Sequence, residues 1–123
     1  MNKVIIAGGR DLPITDYVIN RAKKALNSLK GDIELVSGCA KGADQIPFKL
    51  KSSYNVKSFP ADWETFGKGA GHIRNEEMAK YATHLILFWD GKSKGSKNML
   101  ENAKKYNLKI KTIGYKQVRN TSS

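Results

Sequence analysis

The sequence predicts one α/β domain of three layers, a mostly parallel five-stranded sheet with helices on both faces. Five short runs are rich in Val, Ile and aromatic residues, which is the composition of buried strands. Helix-length segments separate them, and such alternation builds right-handed crossovers between parallel strands. The runs are 4–7, 33–36, 56–59, 85–89 and 108–113.

The first two helices are predicted from apolar spacing and boundary residues. After Thr15, apolar residues recur at helical spacing until Gly31 supplies a stop. A second helix is expected at about 43–51, where Pro47 must fall in the first turn or kink the helix. The first helix would bury Val18, Ala22, Ala25, Leu26 and Leu29.

Two further helices are predicted in the second half of the chain. The segment 71–82 carries Glu76 and Glu77 early, where the helix dipole favours acidic residues. The last helix follows Ser96 and has one apolar face. That face consists of Met99, Leu100, Ala103 and Tyr106.

The size and composition fit a single domain. We expect it over 1–115 of the 123 residues, followed by a frayed tail over 116–123 where the apolar pattern ends. The longest apolar run, 85–89, is far too short to span a bilayer, and no signal-peptide pattern is present. Cys39 is the single cysteine and cannot form an internal disulfide. The sequence therefore predicts a cytoplasmic protein without a membrane partner.

The charge predicts an anionic partner. The chain has 22 Lys and Arg against 11 Asp and Glu, a formal net charge of +11. From residue 91 to the end, Glu101 is the only acidic residue in the sequence, so the excess is concentrated there. A solvated lysine face that maintains solubility is the alternative. His72 and His84 lack metal-ligand spacing, so no metal is expected. No cofactor is expected either.

Three glycine-bearing turns, at 8–10, 37–44 and 90–96, each follow a strand and precede a helix. In the strand order 3-2-1-4-5 they would converge at the carboxyl edge of the sheet, where such folds bind ligands. Glycines let backbone amides approach a phosphate, and helix N-termini favour anions. The turns also supply side-chain donors, and neither a P-loop nor a GxGxxG pattern is present. These donors are Arg10, Ser37, Lys41, Ser93 and Ser96.

The stretch 59–75 is polar and glycine-rich, and we expect a long loop over the same edge. Trp63 would stack on a base or ribose, or would cap the core. Arg74 and Asn75 would begin the third helix, where the guanidinium can bind phosphate or carboxylate.

Five motifs in order resemble the YspA-type, YpsA-related branch of the SLOG superfamily, whose Rossmann-like members sense, bind or process nucleotide ligands. The motifs are GGRD (8–11), SGCAKGAD (37–44), FPADW (59–63), GKGAGHIRNEEM (67–78) and FWDGKSKGS (88–96). The resemblance implies ligand-binding roles for matching residues. These are Gly8, Gly9, Arg10, Ser37, Gly38, Asp44, Arg74, Asn75, Asp90, Gly91, Gly95 and Ser96.

The resemblance extends to cytokinin-activating phosphoribohydrolases of the "lonely guy" group, through Arg74, Met78 and the 90–96 loop. Their catalytic glutamate is replaced here by Met99. N-glycosidic cleavage needs a carboxylate. The candidates for that role are Asp44, for which a structural role at a helix start is favoured, Glu76, and Asp90, which could instead hold ribose hydroxyls.

Three functions follow from these observations. The first is binding of a nucleotide or nucleotide-derived ligand, such as an ADP-ribose-like molecule, by a sensor or sequestering module. The second is hydrolysis of a nucleoside monophosphate, against which Met99 counts. The third is a nucleic-acid-binding module that uses the basic last quarter, as the resemblance to DprA proteins suggests. A homo-oligomer is compatible with each.

Overall fold

A computed structural model describes residues 1–115 and confirms the predicted fold class. The predicted tail at 116–123 lies outside the described residues. The strands are β1 (Asn2–Gly8), β2 (Ile33–Ser37), β3 (Asn55–Ser58), β4 (His84–Trp89) and β5 (Lys109–Gly114). The helices are α1 (Asp16–Asn27), α2 (Ile46–Lys49), α3 (Trp63–Phe66), α4 (Ala70–Tyr81) and α5 (Lys94–Lys105).

All strand pairings are parallel, and the sheet order is β3-β2-β1-β4-β5, as predicted. Alternate residues of β1 face opposite sides of the sheet. Val4 and Ile6 pack with α1 and α2, whereas Ile5 packs with α4 and α5. Helices therefore cover both faces of the parallel sheet, which is the arrangement of a Rossmann-like α/β fold.

Helix α1 forms as its sequence predicts. The Thr15 hydroxyl caps it by accepting a hydrogen bond from the Val18 amide at 3.2 Å. Pro47 lies in the first turn of α2, where it costs no helical hydrogen bond. A 3₁₀ turn at Gly42–Gln45 leads into α2, so the predicted second helix begins in this tighter form.

The prediction of a long loop over 59–75 is wrong. The Asp62 carboxylate accepts a hydrogen bond from the Thr65 amide at 3.1 Å and thereby starts α3. A 3₁₀ turn at Gly67–Gly69 then joins α3 to α4. The glycines that suggested a loop are therefore accommodated within consecutive helical turns.

Helix α4 begins at Ala70, one residue before the predicted start. Arg74 and Asn75 consequently lie in its second turn and not at its beginning. Glu76 and Glu77 also lie beyond the first turn, so the dipole argument made for them is wrong. Among the described residues, no helix combines the length and the apolar character that crossing a bilayer would require.

Candidate functional site

A cleft of about 490 Å³ opens at the carboxyl edge of the sheet. The loops after β1, β2 and β4 all contribute to its lining, so the three predicted glycine turns do converge. The N-terminal part of α4 and the start of α3 form the remaining wall. Of the residues predicted from sequence, the lining includes Gly8, Arg10, Gly38, Lys41, Asp44, Trp63, Arg74, Asn75, Ser93, Gly95 and Ser96.

Gly9 and Ser37 lie outside this lining and instead shape the loops. The Ser37 hydroxyl is fully buried, donates to the Asp44 carbonyl oxygen at 2.7 Å and accepts from the Cys39 amide at 3.0 Å. The Gly9 carbonyl oxygen accepts from the Ala43 amide at 3.1 Å. Both residues therefore hold the loop backbone in place beneath the cleft.

Asp90 and Gly91 form the turn that precedes α5. Asp90 Oδ1 accepts hydrogen bonds from the backbone amides of Lys92 at 2.8 Å and Ser93 at 3.1 Å. This bonding is typical of an aspartate that stabilises a turn. Asp90 and Gly91 are not among the residues that line the cleft.

Glu76 is engaged away from the cleft. Its Oε2 accepts from the Tyr106 hydroxyl at 2.5 Å and pairs with Lys105 Nζ at 3.0 Å. The Tyr106 hydrogen bond, followed by Lys105, lowers the pKa of Glu76. These contacts join α4 to α5, and they do not bring Glu76 to the proposed site as a catalytic group.

The three loops make close backbone contacts through glycines. The Gly9 amide donates to the Phe88 carbonyl oxygen at 3.1 Å, at the end of β4. A Cβ at Gly8 would collide with that same carbonyl oxygen. Gly42 has φ +73°, and a Cβ there would collide with the Gly9 carbonyl oxygen. These contacts fix the positions of the loops relative to one another.

Arg74 and Asp44 meet at Gly38, in the centre of the site. Arg74 Nη1 donates to the Gly38 carbonyl oxygen, and Arg74 Nε donates to Asn75 Oδ1 at 3.0 Å. A Cβ at Gly38 would lie 2.8 Å from Asp44 Oδ2 and 2.9 Å from Arg74 Nη1. The missing side chain at Gly38 therefore makes room for both charged groups.

Burial raises the pKa of Asp44 above its ordinary value. The hydrogen bond that Asp44 Oδ2 accepts from the Ala40 amide at 3.2 Å opposes the shift, as do the charges of Arg74 and Arg10. Burial outweighs these stabilising contacts, so ionising Asp44 costs more in the folded protein than in the unfolded chain. Such a shifted group in a cleft is typical of functional sites.

The Asp44→Asn variant is expected to have a higher Tm than the wild type at pH 7, because it removes the buried charge. A raised pKa means that the stabilising contribution of Asp44 is present below the ordinary value of 3.8 and is lost as pH rises through the raised pKa. The gain in Tm should therefore vanish as pH falls towards that value. Thermal unfolding followed by circular dichroism across this range measures it.

Asp62→Asn is the control, because the pKa of Asp62 is shifted in the opposite direction to that of Asp44. The cap hydrogen bonds to Thr65 lower the pKa of Asp62, so its contribution to stability is present above the ordinary value and is lost at lower pH. This variant should be less stable than the wild type at pH 7. If Asp44→Asn instead had a lower Tm than the wild type at pH 7, the conclusion that burial of Asp44 destabilises the fold at this pH would be contradicted.

The N-terminus of α5 forms one side of the cleft. Ser93 caps the helix by accepting from the Ser96 amide at 3.3 Å. Ser96 is only 3% exposed, and its Oγ has no hydrogen-bond partner among residues 1–115. A buried hydroxyl without a partner is costly. Its place in the cleft lining, at a helix end that favours anions, is therefore suited to a ligand oxygen.

Trp63 forms the aromatic wall of the cleft. It is 58% exposed and Phe66, in the same helical turn, is 48% exposed, so the alternative that Trp63 caps the core is wrong. A Cβ at Gly71 would lie 3.6 Å from Trp63 Cη2, which shows how closely the indole approaches α4. The indole borders the cleft and remains largely accessible to a ligand.

Other residues in the lining were not predicted as site residues, among them Cys39, Pro60, His72 and Met99. Cys39 has φ +67°, a left-handed conformation that is uncommon outside glycine. Met99 lies on the apolar face predicted for α5, but that pattern cannot show that the same residue borders a cleft. Among the described residues, no group of three or more His, Cys, Asp or Glu side chains could hold a metal ion.

The lysines of α5 and β5 lie on the surface. Lys94, Lys97, Lys104, Lys109 and Lys111 are exposed. Within the part of the chain that the structure describes, Lys105 and Glu76 form the one ion pair. The positive charge of this region is therefore largely unneutralised by protein groups in residues 1–115.

Comparison with known proteins finds a similar sequence in a bacteriophage. The Gene 61 protein of Mycobacterium phage D29 is 29% identical over 124 residues, covering 94% of this chain and 99% of that protein. The C-terminal domain of a hydrogenase from Pyrococcus furiosus has 14% identity and a TM-score of 0.47, with 91% of both chains covered. No family model matches the chain. The likeness to the phage protein thus extends over nearly the whole length of both chains.

Proposed function

We propose that this protein binds a nucleotide or nucleotide-derived ligand in the cleft and acts as a sensor or sequestering module. The observation that carries the proposal is the buried, unpartnered Ser96 hydroxyl at the N-terminus of α5. A phosphate oxygen would accept hydrogen bonds from this hydroxyl and from the first amides of the helix. Arg10 and Lys41, which also line the cleft, would balance its charge.

Two other groups of the cleft, Asp44 and Trp63, suit the ribose and the base of a nucleotide. Asp44 can accept hydrogen bonds from ligand hydroxyls, as acidic residues do for ribose in dinucleotide sites. Trp63 offers an aromatic surface for stacking, a contact worth about 1–3 kcal/mol per base. An anion site, a carboxylate and an exposed indole in one cleft match phosphate, sugar and base, which is why a nucleotide fits better than inorganic phosphate.

Arg74→Ala is expected to weaken binding of AMP or ADP-ribose by about 1.5–3 kcal/mol, the usual worth of a charge-assisted hydrogen bond. Isothermal titration calorimetry measures the affinity, and an unchanged circular dichroism spectrum shows that the variant folds. Arg21→Ala is the matched control, because Arg21 lies on α1 and contacts Tyr17 instead of the cleft. Equal affinity of wild type and Arg74→Ala would contradict the proposal.

A second candidate, binding of a single-stranded nucleic acid, is favoured by the exposed and largely unpaired lysines of α5 and β5. Phosphate neutralisation by lysines makes such affinity fall steeply with salt. Titration of an oligonucleotide and of AMP at several salt concentrations separates the two. Tight, strongly salt-dependent binding of the oligonucleotide together with weak binding of AMP would favour the second candidate.

A further inference from the structure

A chain of side-chain amides connects Arg74 on α4 to α5. Arg74 Nε donates to Asn75 Oδ1 at 3.0 Å, and Asn75 Nδ2 donates to Asn98 Oδ1 at 2.9 Å. Asn102 Nδ2 donates to the same Asn98 oxygen at 3.3 Å and to the Asn98 carbonyl oxygen at 3.1 Å. Asn75 is only 7% exposed, so both ends of its amide are satisfied by protein groups away from bulk water.

The direction of this chain is fixed by chemistry. A guanidinium only donates hydrogen bonds, so Asn75 must turn its oxygen to Arg74 and its amino group to Asn98. Asn98 must then accept, and the amino group of Asn102 supplies its second hydrogen bond. Flipping any one side-chain amide would place two donors or two acceptors against each other inside the protein. The orientation of Asn98 therefore determines whether Asn75 can hold Arg74.

We propose that Asn98 is a positioning residue of the cleft, which holds the Arg74 guanidinium at Gly38 through Asn75. Without this support, the Nη1 hydrogen bond to the Gly38 carbonyl oxygen and the charge of Asp44 would be left to hold the guanidinium. Asn98 lies two residues after Ser96 on α5, so the chain also joins Arg74 to the helix that carries the anion site. The effect on ligand affinity rests on the proposed function, whereas the effect on Arg74 does not.

Asn98→Ala tests the positioning in the ligand-free protein. The ¹H–¹⁵N resonance of Arg74 Nε, assigned by its loss in Arg74→Ala, is expected to shift and to exchange faster with solvent. Asn98→Asp keeps the acceptor and should retain the slow solvent exchange of the wild-type Arg74 Nε proton. Lys97→Ala, an exposed neighbour on α5, should leave it unchanged. Should the alanine variant not fold, Asn98→Ser gives the same test because its short hydroxyl cannot reach Asn75.

A double-mutant cycle with AMP as the probe tests the consequence for binding. Asn98→Ala should weaken affinity about tenfold in the wild-type background, within the range of couplings between contacting residues. It should have no further effect in Arg74→Ala. An equal loss in both backgrounds, or an unchanged Arg74 Nε resonance, would overturn the proposal. If wild-type protein does not bind AMP, the nucleotide proposal fails, while the resonance still decides the role of Asn98.

Discussion

Gly38→Val is expected to lower the affinity of the cleft for AMP by more than about 100-fold, the combined worth of one to two charge-assisted hydrogen bonds. The added Cβ would lie within 3.0 Å of Asp44 Oδ2, Arg74 Nη1 and Arg74 Cζ, so both side chains must move. The variant should also have a lower Tm, because displaced Arg74 and Asp44 lose their buried hydrogen bonds. Calorimetry and thermal unfolding measure the two effects.

Gly95→Val is the informative comparison. Gly95 lines the cleft, but apart from the adjoining residues and the backbone of its own helix, a Cβ there would meet no atom of the described chain within 4 Å. Valine at this position should therefore leave the Tm nearly unchanged and obstruct only a ligand at the N-terminus of α5. Gly114→Val, equally open but at the end of β5, should affect neither property. Wild-type affinity in Gly38→Val would contradict the central place assigned to Asp44 and Arg74.

Met99→Glu is expected to destabilise the fold by about 3 kcal/mol or more, because it would bury an unpaired carboxylate. Met99 is 1% exposed and packs in the core between the sheet and α4 and α5, with Met78 and Ala103. The loss of stability in this variant should be smaller at low pH, where the glutamic acid side chain is neutral. Urea unfolding of this variant and of the neutral control Met99→Gln, at pH 7 and pH 4, measures the difference.

The same residue bears on catalysis. Met99 occupies the position that the resemblance to phosphoribohydrolases aligns with their catalytic glutamate. If that alignment holds, the wild-type protein is expected to leave AMP, CMP and NAD intact over hours. Chromatography of each nucleotide after incubation detects any free base. Rapid release would refute the binding proposal and would direct attention to Asp44 as the carboxylate, since Asp44 lines the cleft. Glu76 is held by Tyr106 and Lys105, and Asp90 Oδ1 is hydrogen-bonded to the amides of its own turn.

The strand order and the convergence of the glycine turns could be predicted because both follow from local patterns. Apolar runs alternate with helical segments, and the carboxyl ends of parallel strands necessarily meet at one edge. Helix α3 could not be predicted, since four residues give no periodicity and none of them is buried. Its one sequence signal was the spacing of Asp62 and Thr65, which forms a capping interaction.

Within the site, residue type alone did not separate groups that line the cleft from groups that hold the loops. Ser37 and Ser96 are both buried serines in glycine-rich turns, yet Ser37 is hydrogen-bonded twice and Ser96 Oγ has no partner in the described chain. The difference depends on which backbone groups fold beside each hydroxyl. Likewise, the sequence places Arg74 and Asn75 side by side, but it cannot show that the Asn75 side-chain amide donates a hydrogen bond to Asn98.

The interlocked loops limit how this site can diversify. A Cβ at Gly8 would collide with the Phe88 carbonyl oxygen, and a Cβ at Gly42 would collide with the Gly9 carbonyl oxygen. A chimera that introduces a larger residue at either glycine is therefore expected to displace the neighbouring loop. The turns after β1, β2 and β4 are therefore expected to be exchangeable only as a set. Helix α3 is outside this arrangement, since it buries none of its residues. New ligand preferences are accordingly expected to arise by replacement of Trp63 and its helix, with the proposed anion site inherited unchanged.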